Sequence, residues 1–202
     1  MTSERSPPLV LLAALLIAVG RLVAGEQTLS FEVDAAKKFP ISPFIYGHNH
    51  PDWKRAQGIT LLRSGGNRMS AYNWENNASN AGSDWQHQND AFLGGGETPG
   101  EVVRASVAGA HAHNAAIVVT VPCSGYVAAD KQGGGDVNKT PDYLKTRFVL
   151  SVPAKGKPFT FPPDLTDGKV YQDEFVAWLE QAFPAGRKDP RKAMFYCLDN
   201  EP

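Results

Sequence analysis

The sequence contains 202 residues, with 20 basic and 21 acidic side chains and a formal net charge of −1. No long basic run is present, so nucleic acid is not an expected partner. The 19 glycines and 15 prolines favour shaped loops over a helical bundle, and the length is below the ~250 residues of a complete eight-stranded α/β barrel.

Residues 1–25 have the three parts of a secretory signal peptide. Arg5 supplies the positive start, an apolar run follows that is too short to cross a bilayer comfortably, and Val23-Ala24-Gly25 offers small residues for cleavage. An uncleaved membrane anchor is the alternative, since Glu4 and Arg21 depart from the signal pattern. We therefore predict an exported, extracellular protein with no stable membrane association after cleavage.

Residues 26–43 are predicted to be one strand and a linker. Leu29, Phe31 and Val33 alternate with polar residues between positions 28 and 34. This period is typical of an antiparallel strand with one wet face, so the strand is expected to belong to a separate sheet.

The chain from residue 44 onwards alternates between strand-like and helix-like segments. Two apolar strands come first, and each later strand is preceded by an amphipathic helix; such alternation predicts an α/β fold with parallel strands and crossover helices. The first helix is expected to begin at a capping box formed by Thr98 and Glu101. The predicted strands are 44–47, 59–63, 115–123 and 193–198, and the predicted helices are 98–114 and about 175–183.

Two long connections, 67–97 and 124–170, have no regular period and are expected to be functional loops without secondary structure. Both follow strands whose carboxyl ends should meet at one face of the sheet. Aromatic residues in such polar loops suit stacking on sugar rings, although they could instead only hold the loops in place. These aromatic residues are Trp53, Tyr72, Trp74, Trp85 and Tyr126.

The last strand runs into Asp199-Asn200-Glu201-Pro202. Pro202 cannot donate to a sheet ladder, so the strand must end there and leave the Glu201 carboxyl at its carboxyl end. A carboxyl in this position can be partly desolvated and act as a general acid, and the alternative is an acidic residue in a turn. Arg63 ends the second strand and needs an acidic partner if it is buried, but none is obvious in the sequence.

Cysteine and histidine spacing predicts neither a disulfide scaffold nor a catalytic metal site. If the strands of Cys123 and Cys197 are neighbours, a bridge between them is geometrically allowed, but two buried free thiols are the favoured interpretation. The histidines show no zinc-site spacing. Two N-glycosylation patterns begin at Asn77 and Asn138.

Several runs of the sequence are unusual in composition: 65–68, 72–77, 79–85, 89–90, 155–159, 167–168, 171, 173–176 and 199–202. Together these runs resemble glycoside hydrolase family 44, a family of secreted endoglucanases and xyloglucanases. The resemblance extends from about residue 28 to the end. It implies a (β/α)8 barrel beside a β-sandwich, with the strand at 28–34 in the sandwich and residues 44–202 forming the first half of the barrel, as far as its fourth strand.

The resemblance also implies a retaining mechanism and roles for individual residues. Glu201 matches the acid/base, Asn200 would bind the sugar 2-hydroxyl, and Arg63 would lie beside the nucleophile. The nucleophile is a second glutamate after the seventh barrel strand, and no residue of this sequence matches its motif. Asn67, Trp74 and Tyr126 complete the predicted substrate-binding set.

Two further points follow from the family pattern. Ser64 stands where the family commonly has tryptophan, so the resemblance does not carry over the packing near Arg63. No cofactor is needed for the chemistry, but family members carry calcium, which implies a structural calcium ion whose ligands the sequence does not locate.

The sequence is therefore predicted to be the amino-terminal half of a retaining glycosidase acting on β-1,4-glucan-type plant polysaccharides. Without the nucleophile, these 202 residues are expected to be inactive alone and poorly stable. Two alternatives stay open. One is another barrel glycosidase of the same clan, such as an arabinofuranosidase, and the other is an exported glycan-binding protein without catalytic activity.

Overall fold

The computed structural model describes residues 28–200, so the predicted signal peptide and Glu201 lie outside the described residues. The chain divides into two compact units at residue 40. In the first unit, the strand predicted at 28–34 is not formed, and Leu29, Phe31 and Val33 are 76–86% exposed. An alternating segment becomes a strand only when it pairs with another strand, and none of the described residues pairs with this one.

The second unit begins at residue 41 and contains the regular elements. In chain order these are β1 (Gly47–Asn49), β2 (Leu61–Ser64), β3 (Ser79–Asn80), β4 (Asn89–Asp90), α1 (Glu101–Ala112), β5 (Ala116–Val121), β6 (Tyr126–Ala128), α2 (Tyr143–Thr146), β7 (Phe148–Val152), β8 (Lys169–Tyr171), α3 (Gln172–Ala182) and β9 (Met194–Leu198). Within residues 28–200, no helix is long and apolar enough to cross a membrane.

The main sheet has four parallel strands in the order β1-β2-β5-β9. The predicted α/β class and the parallel arrangement are therefore confirmed. The first strand begins only at Gly47, so the prediction of a strand over 44–47 was displaced by three residues. Its own side chains are exposed, because β1 is an edge strand whose register is determined by pairing with Leu61.

One face of this sheet carries the core. Leu62, Ile117 and Met194 are register neighbours, and adjacent residues in register share a face. Helices α1 and α3 cover this face with side chains spaced four residues apart, such as Phe175 and Leu179, both fully buried. Burying each such side chain contributes about 1.5–3 kcal/mol.

The opposite face carries Arg63, Val118 and Phe195, which are also register neighbours. Phe195 is 41% exposed. On the helix side, an apolar groove of about 650 Å³ runs along the free edge of β9, where Leu198 is 67% exposed. Among the described residues, this sheet therefore has an open edge and uncovered apolar side chains.

The two long connections are structured, so the prediction of irregular loops was wrong. The segment 67–97 contains a 3-10 turn, Asn67–Ala71, and the antiparallel pair β3–β4. The segment 124–170 contains β6 and β7, which form a three-stranded sheet with β8. Three of these strands, β3, β4 and β6, have only two or three residues and are too short to show a period of two in the sequence.

Helix α1 begins differently from the prediction. Its N-cap is Gly100 in the left-handed conformation, with φ of 71°, and no side chain at that position caps it. The cap comes instead from Asn77, whose Oδ1 accepts a hydrogen bond from the Val102 N–H at 3.3 Å. Asn77 Nδ2 donates to the Thr98 carbonyl at 2.6 Å, so Thr98 holds the loop and does not cap the helix.

Candidate active site

The carboxyl ends of three neighbouring strands bring the predicted site residues together. Arg63 lies near the end of β2, Cys123 follows β5, and Asn200 follows β9. Because parallel strands share their carboxyl ends, residues far apart in the sequence meet at this edge. Arg63 and Asn200, separated by 137 positions, are in direct contact.

Asn200 is the centre of this contact. Its Oδ1 accepts hydrogen bonds from Arg63 Nη2 and from the Gly66 N–H, the latter at 2.8 Å. Its Nδ2 donates to Asn67 Oδ1 at 3.2 Å. Donors on Oδ1 and an acceptor at Nδ2 select one orientation of the amide. The predicted residues Arg63, Asn67 and Asn200 therefore form one network.

Two glycines make this network sterically feasible. Gly66 has φ of 111°, a conformation that L side chains rarely adopt. A Cβ on Gly65 would lie 2.8 Å from Arg63 Cζ and 3.0 Å from Thr120 Oγ1. The guanidinium thus packs directly over the backbone after β2. Ser64 is buried and alternates with Arg63, so its side chain lies on the other face of the sheet.

The segment after β2 supports the network from outside. Asn67 Nδ2 donates to Asp84 Oδ2 at 2.8 Å, which links the Asn67–Ala71 turn to the 3-10 turn Gly82–Trp85. Arg68 forms an ion pair with Asp90. Burial alone would raise the pKa of Asp90, but hydrogen bonds from Gln88 and Arg68 lower it below its ordinary value. Asp90 is consequently charged at neutral pH and holds β4 against this turn.

The buried asparagines of this loop bind the protein's own backbone. Asn73 Nδ2 donates to the Ala128 carbonyl at 2.9 Å, and Asn89 Nδ2 donates to the Arg147 carbonyl at 2.6 Å. Each amide gives a backbone carbonyl of another segment a hydrogen-bond donor. These two asparagines therefore hold the segment against β6 and the start of β7.

Asp199 was not singled out from the sequence, but the structure places it beside Asn200. Its Oδ1 accepts from the Asn200 N–H at 2.7 Å, and its Oδ2 accepts from the Cys123 N–H at 3.1 Å. The only sequence signal was a second acidic residue next to the strand end. Cys123 and Cys197 are both free thiols, but the prediction that both are buried is wrong. Cys123 follows β5 and is exposed, and Cys197 is half-buried.

Among residues 28–200, no ion pair includes Arg63. Its observed partner is the neutral amide of Asn200. A half-buried guanidinium with an amide partner keeps a positive charge at the carboxyl edge, and this charge can stabilise an anionic group nearby.

The prediction that Trp74 contacts a ligand is wrong for this structure. Trp74 is fully buried, stacks against Phe175 with ring centroids 5.6 Å apart, and donates from Nε1 to the Tyr171 carbonyl at 3.2 Å. Tyr72 is also fully buried, and its hydroxyl donates to Asn77 Oδ1 at 2.7 Å. A tryptophan whose indole N–H has a backbone partner satisfies the requirements of a core residue.

The other aromatic residues have different surroundings. Tyr126 begins β6 and is half-buried; its carbonyl accepts from Ser124 Oγ, which also donates to the Ser70 carbonyl. Tyr126 is therefore linked through Ser124 to the turn after β2. Trp53 stacks on His113 with centroids 4.4 Å apart. Trp85 is 59% exposed.

A cluster of buried carboxyl groups lies between the loop after β2 and α3. Burial, followed by the charges of Asp167 and Glu174, raises the pKa of Glu75 to about 8. Asp167 Oδ2 and Glu174 Oε2 are buried without a hydrogen-bond partner. Within residues 28–200, however, no three histidine, cysteine, aspartate or glutamate side chains converge to hold a metal ion.

Comparison with known proteins gives a consistent match. A family model described as "Glycoside hydrolase family 44" matches residues 78–202. The chain is 38% identical over 192 residues to a protein named Endoglucanase A from Paenibacillus lautus, which covers 89% of this chain and 26% of that protein. It is 37% identical over 177 residues to a Beta-mannanase/endoglucanase A from Caldicellulosiruptor saccharolyticus, covering 83% of this chain and 13% of that protein.

Solved structures agree with these sequence matches. A Paenibacillus polymyxa xyloglucanase of family 44, solved with xyloglucan, superposes with a TM-score of 0.71 at 42% identity, covering 81% of this chain and 33% of that chain. A family 44 endoglucanase from Clostridium thermocellum gives a TM-score of 0.72 at 37% identity over the same shares of 81% and 33%. The chain therefore spans about a third or less of the length of these relatives.

Proposed function

Because the chain belongs to glycoside hydrolase family 44, we propose that the intact protein is a glycosidase acting on β-1,4-glucan-type plant polysaccharides such as cellulose and xyloglucan. The names of the relatives, endoglucanase and xyloglucanase, support this substrate class. The observation that carries the proposal is the network of Arg63, Asn67 and Asn200, which lies at the strand ends immediately before Glu201.

The proposed architecture is a (β/α)8 barrel, of which strands β1, β2, β5 and β9 are the first four. Their parallel order and the polar network at their carboxyl ends support this arrangement. Residues 28–34 are proposed to become a strand of an accessory β-sandwich once the remainder of that sheet supplies a partner. Residues 1–25 are proposed to be the signal peptide of a secreted protein.

The proposed mechanism is retaining. Glu201 would protonate the glycosidic oxygen while a glutamate nucleophile, outside these 202 residues, attacks the anomeric carbon. Glu201 would then remove a proton from water to release the glycosyl-enzyme. In such a mechanism the two carboxyl groups stand roughly 5 Å apart.

Arg63 and Asn200 have complementary parts in this mechanism. The Arg63 guanidinium has no carboxylate partner among residues 28–200, which leaves it able to stabilise the anionic nucleophile. Asn200 is oriented by Arg63 and Asn67, so its amide would meet the sugar 2-hydroxyl in a defined direction.

The test uses the intact protein and its Glu201→Gln variant on a panel of β-glucan, xyloglucan, mannan and arabinosides. We expect the wild type to release reducing sugar from β-glucan or xyloglucan, and Glu201→Gln to lower kcat/KM by about 10²-fold or more. Preference for arabinosides would indicate another glycosidase of the clan. Saturable glucan binding without turnover would indicate a glycan-binding protein. The 202-residue chain alone is expected to release no sugar, and steady turnover by it would contradict the placement of the nucleophile.

No cofactor is required in this chemistry. A structural calcium ion remains part of the proposal, with no step assigned to it. Metal analysis of the purified intact protein tests it, together with the melting temperature in chelator and in added calcium. Absence of bound calcium and an unchanged melting temperature would remove the ion from the proposal.

A further inference from the structure

Asp199 occupies an unusual position at the end of β9. Its N–H donates to the Val121 carbonyl at 2.8 Å, which makes it the last residue bonded to β5 before the chain turns. Its φ is 61°, a left-handed conformation that aspartate tolerates better than most residues. The residue is only 8% exposed. A backbone in this conformation needs supporting contacts to persist.

The Asp199 carboxylate provides those contacts by joining two loops. Oδ1 accepts from the Asn200 N–H at 2.7 Å, and Oδ2 accepts from the Cys123 N–H at 3.1 Å and from Cys123 Sγ at 3.5 Å. The Ser70 side chain lies near this carboxylate and contributes to the lowering of its pKa. The hydrogen bonds of this one side chain connect the segments that follow β5 and β9.

This arrangement requires the ionised form of Asp199, which only accepts hydrogen bonds. Burial alone would raise its pKa, but hydrogen bonds from Ser70, Asn200 and Cys123 lower it below its ordinary value. The carboxylate is thus charged throughout the neutral pH range, and its donors have a stable acceptor.

We propose that Asp199 is a positioning residue for the acid/base step, because its carboxylate holds the Asn200 N–H and so sets the direction in which the chain continues to Glu201. The inference rests on the proposed function of Glu201. A general acid must lie within hydrogen-bond reach of the oxygen that it protonates, and a displacement of about 1 Å can cost about 10²-fold in rate. Asp199 touches neither substrate nor reacting atoms in this assignment.

A purely structural role would lower activity by reducing the amount of folded enzyme, and this reduction would be the same for every substrate. A positioning role has a different signature. Cleavage of a dinitrophenyl glycoside needs little protonation because the departing phenolate is a stable anion, whereas cleavage of an oligosaccharide needs a general acid. The ratio of kcat/KM for the two substrates therefore reports the acid and cancels the folded fraction.

The experiment measures this ratio in the intact protein for the wild type, Asp199→Ala and Asp199→Asn. We expect Asp199→Ala to lower kcat/KM on a cello-oligosaccharide at least about tenfold more than on the dinitrophenyl β-cellobioside. Asp199→Asn keeps one acceptor oxygen and should give an intermediate ratio. An unchanged ratio in Asp199→Ala would overturn the proposal, whether or not total activity falls.

Two further variants separate the possible failures. Asp189 accepts from the Arg191 N–H at 3.0 Å in a similar local turn, but it precedes β9 and so lies at the amino end of the sheet. Asp189→Ala should leave the substrate ratio unchanged. Glu201→Gln should change the ratio at least as strongly as Asp199→Ala. If Glu201→Gln leaves the substrate ratio unchanged, the proposed function of Glu201 is wrong. If Glu201→Gln changes the ratio but the Asp199 variants do not, only the positioning role of Asp199 is wrong.

Discussion

The ammonium group of Lys155 donates to Glu174 Oε1 inside the protein, where the two side chains are only 2% and 1% exposed. The same oxygen accepts from the Thr160 N–H at 2.6 Å. Burial alone would lower the pKa of Lys155, but pairing with Glu174 raises it. This contact ties the loop after β7 to the first turn of α3.

Removing one member of this pair should be strongly destabilising. Lys155→Met is expected to lower the free energy of unfolding by about 3–5 kcal/mol, because the Glu174 charge stays buried without its partner. Urea unfolding measures the change. Lys157→Met is the control, since that lysine is half-exposed and 3.6 Å from Asp167; its effect should stay below about 1 kcal/mol. A loss in Lys155→Met no larger than in the control would show that the pair is not buried as described.

Stability should depend on pH through Glu75. Its pKa is raised to about 8 in the folded protein, against 4.5 for an unperturbed glutamate. Between these values the folded state holds a proton that the unfolded state has lost, so stability falls as pH rises, by up to about 1.4 kcal/mol per pH unit.

Glu75→Gln should remove this dependence and leave the variant more stable than the wild type near pH 8. Melting temperatures from pH 5 to about 9, measured in chelator so that no cation binds the carboxyl groups, provide the comparison. Parallel curves for the two proteins would show that Glu75 titrates normally.

Replacing Trp74 should lower stability far more than replacing Trp85, because only Trp74 is buried. Trp74→Ala is expected to cost about 3–5 kcal/mol, since it empties a fully buried position against Phe175. Trp85→Ala changes a side chain that is 59% exposed and should shift stability by about 0.5 kcal/mol or less. Thermal unfolding of both variants tests this; an equal effect of the two would contradict the burial of Trp74.

Gly65→Ala should disturb the site more than the fold. The added methyl would lie 2.8 Å from Arg63 Cζ, so the guanidinium must move away from Asn200. We expect kcat/KM of the intact protein on β-glucan to fall about tenfold or more, with a stability loss of about 1–3 kcal/mol. Gly135→Ala, which meets no atom within 4 Å, should change neither quantity. Full activity in Gly65→Ala would mean that the position of Arg63 is not critical.

Periodic apolar segments allowed the main sheet to be predicted. The run that became β5 is buried on almost every residue, and the stripe containing Phe175 and Leu179 is spaced for one helix face. Strand ends follow from such patterns, so the apolar periodicity is enough to predict that Arg63 and Asn200 lie at one edge of the sheet. Their contact also depends on Gly65 and Gly66, and no periodic pattern in the sequence indicates that these two positions require glycine.

Sequence could not assign the aromatic residues of the loops, because polarity along the chain does not determine burial in space. Trp74 has polar neighbours in the sequence, yet it packs between Phe175 and Trp178. The cap of α1 was missed for a related reason. Thr98 and Glu101 have the spacing of a local capping box, but Asn77, 25 positions before Val102, supplies the acceptor.

The burial of Asn77 also affects the choice of expression host. It is fully buried, while Asn138 of the second glycosylation pattern is exposed. In a eukaryotic secretory pathway, a glycan attached to Asn77 during translocation would precede folding and could not be enclosed by α1 and Tyr72. Secretion from yeast or insect cells should therefore yield misfolded protein, whereas bacterial production should not. Ser79→Ala removes the glycosylation pattern at Asn77, so it should raise the yield of folded protein from the eukaryotic host relative to the yield from bacteria.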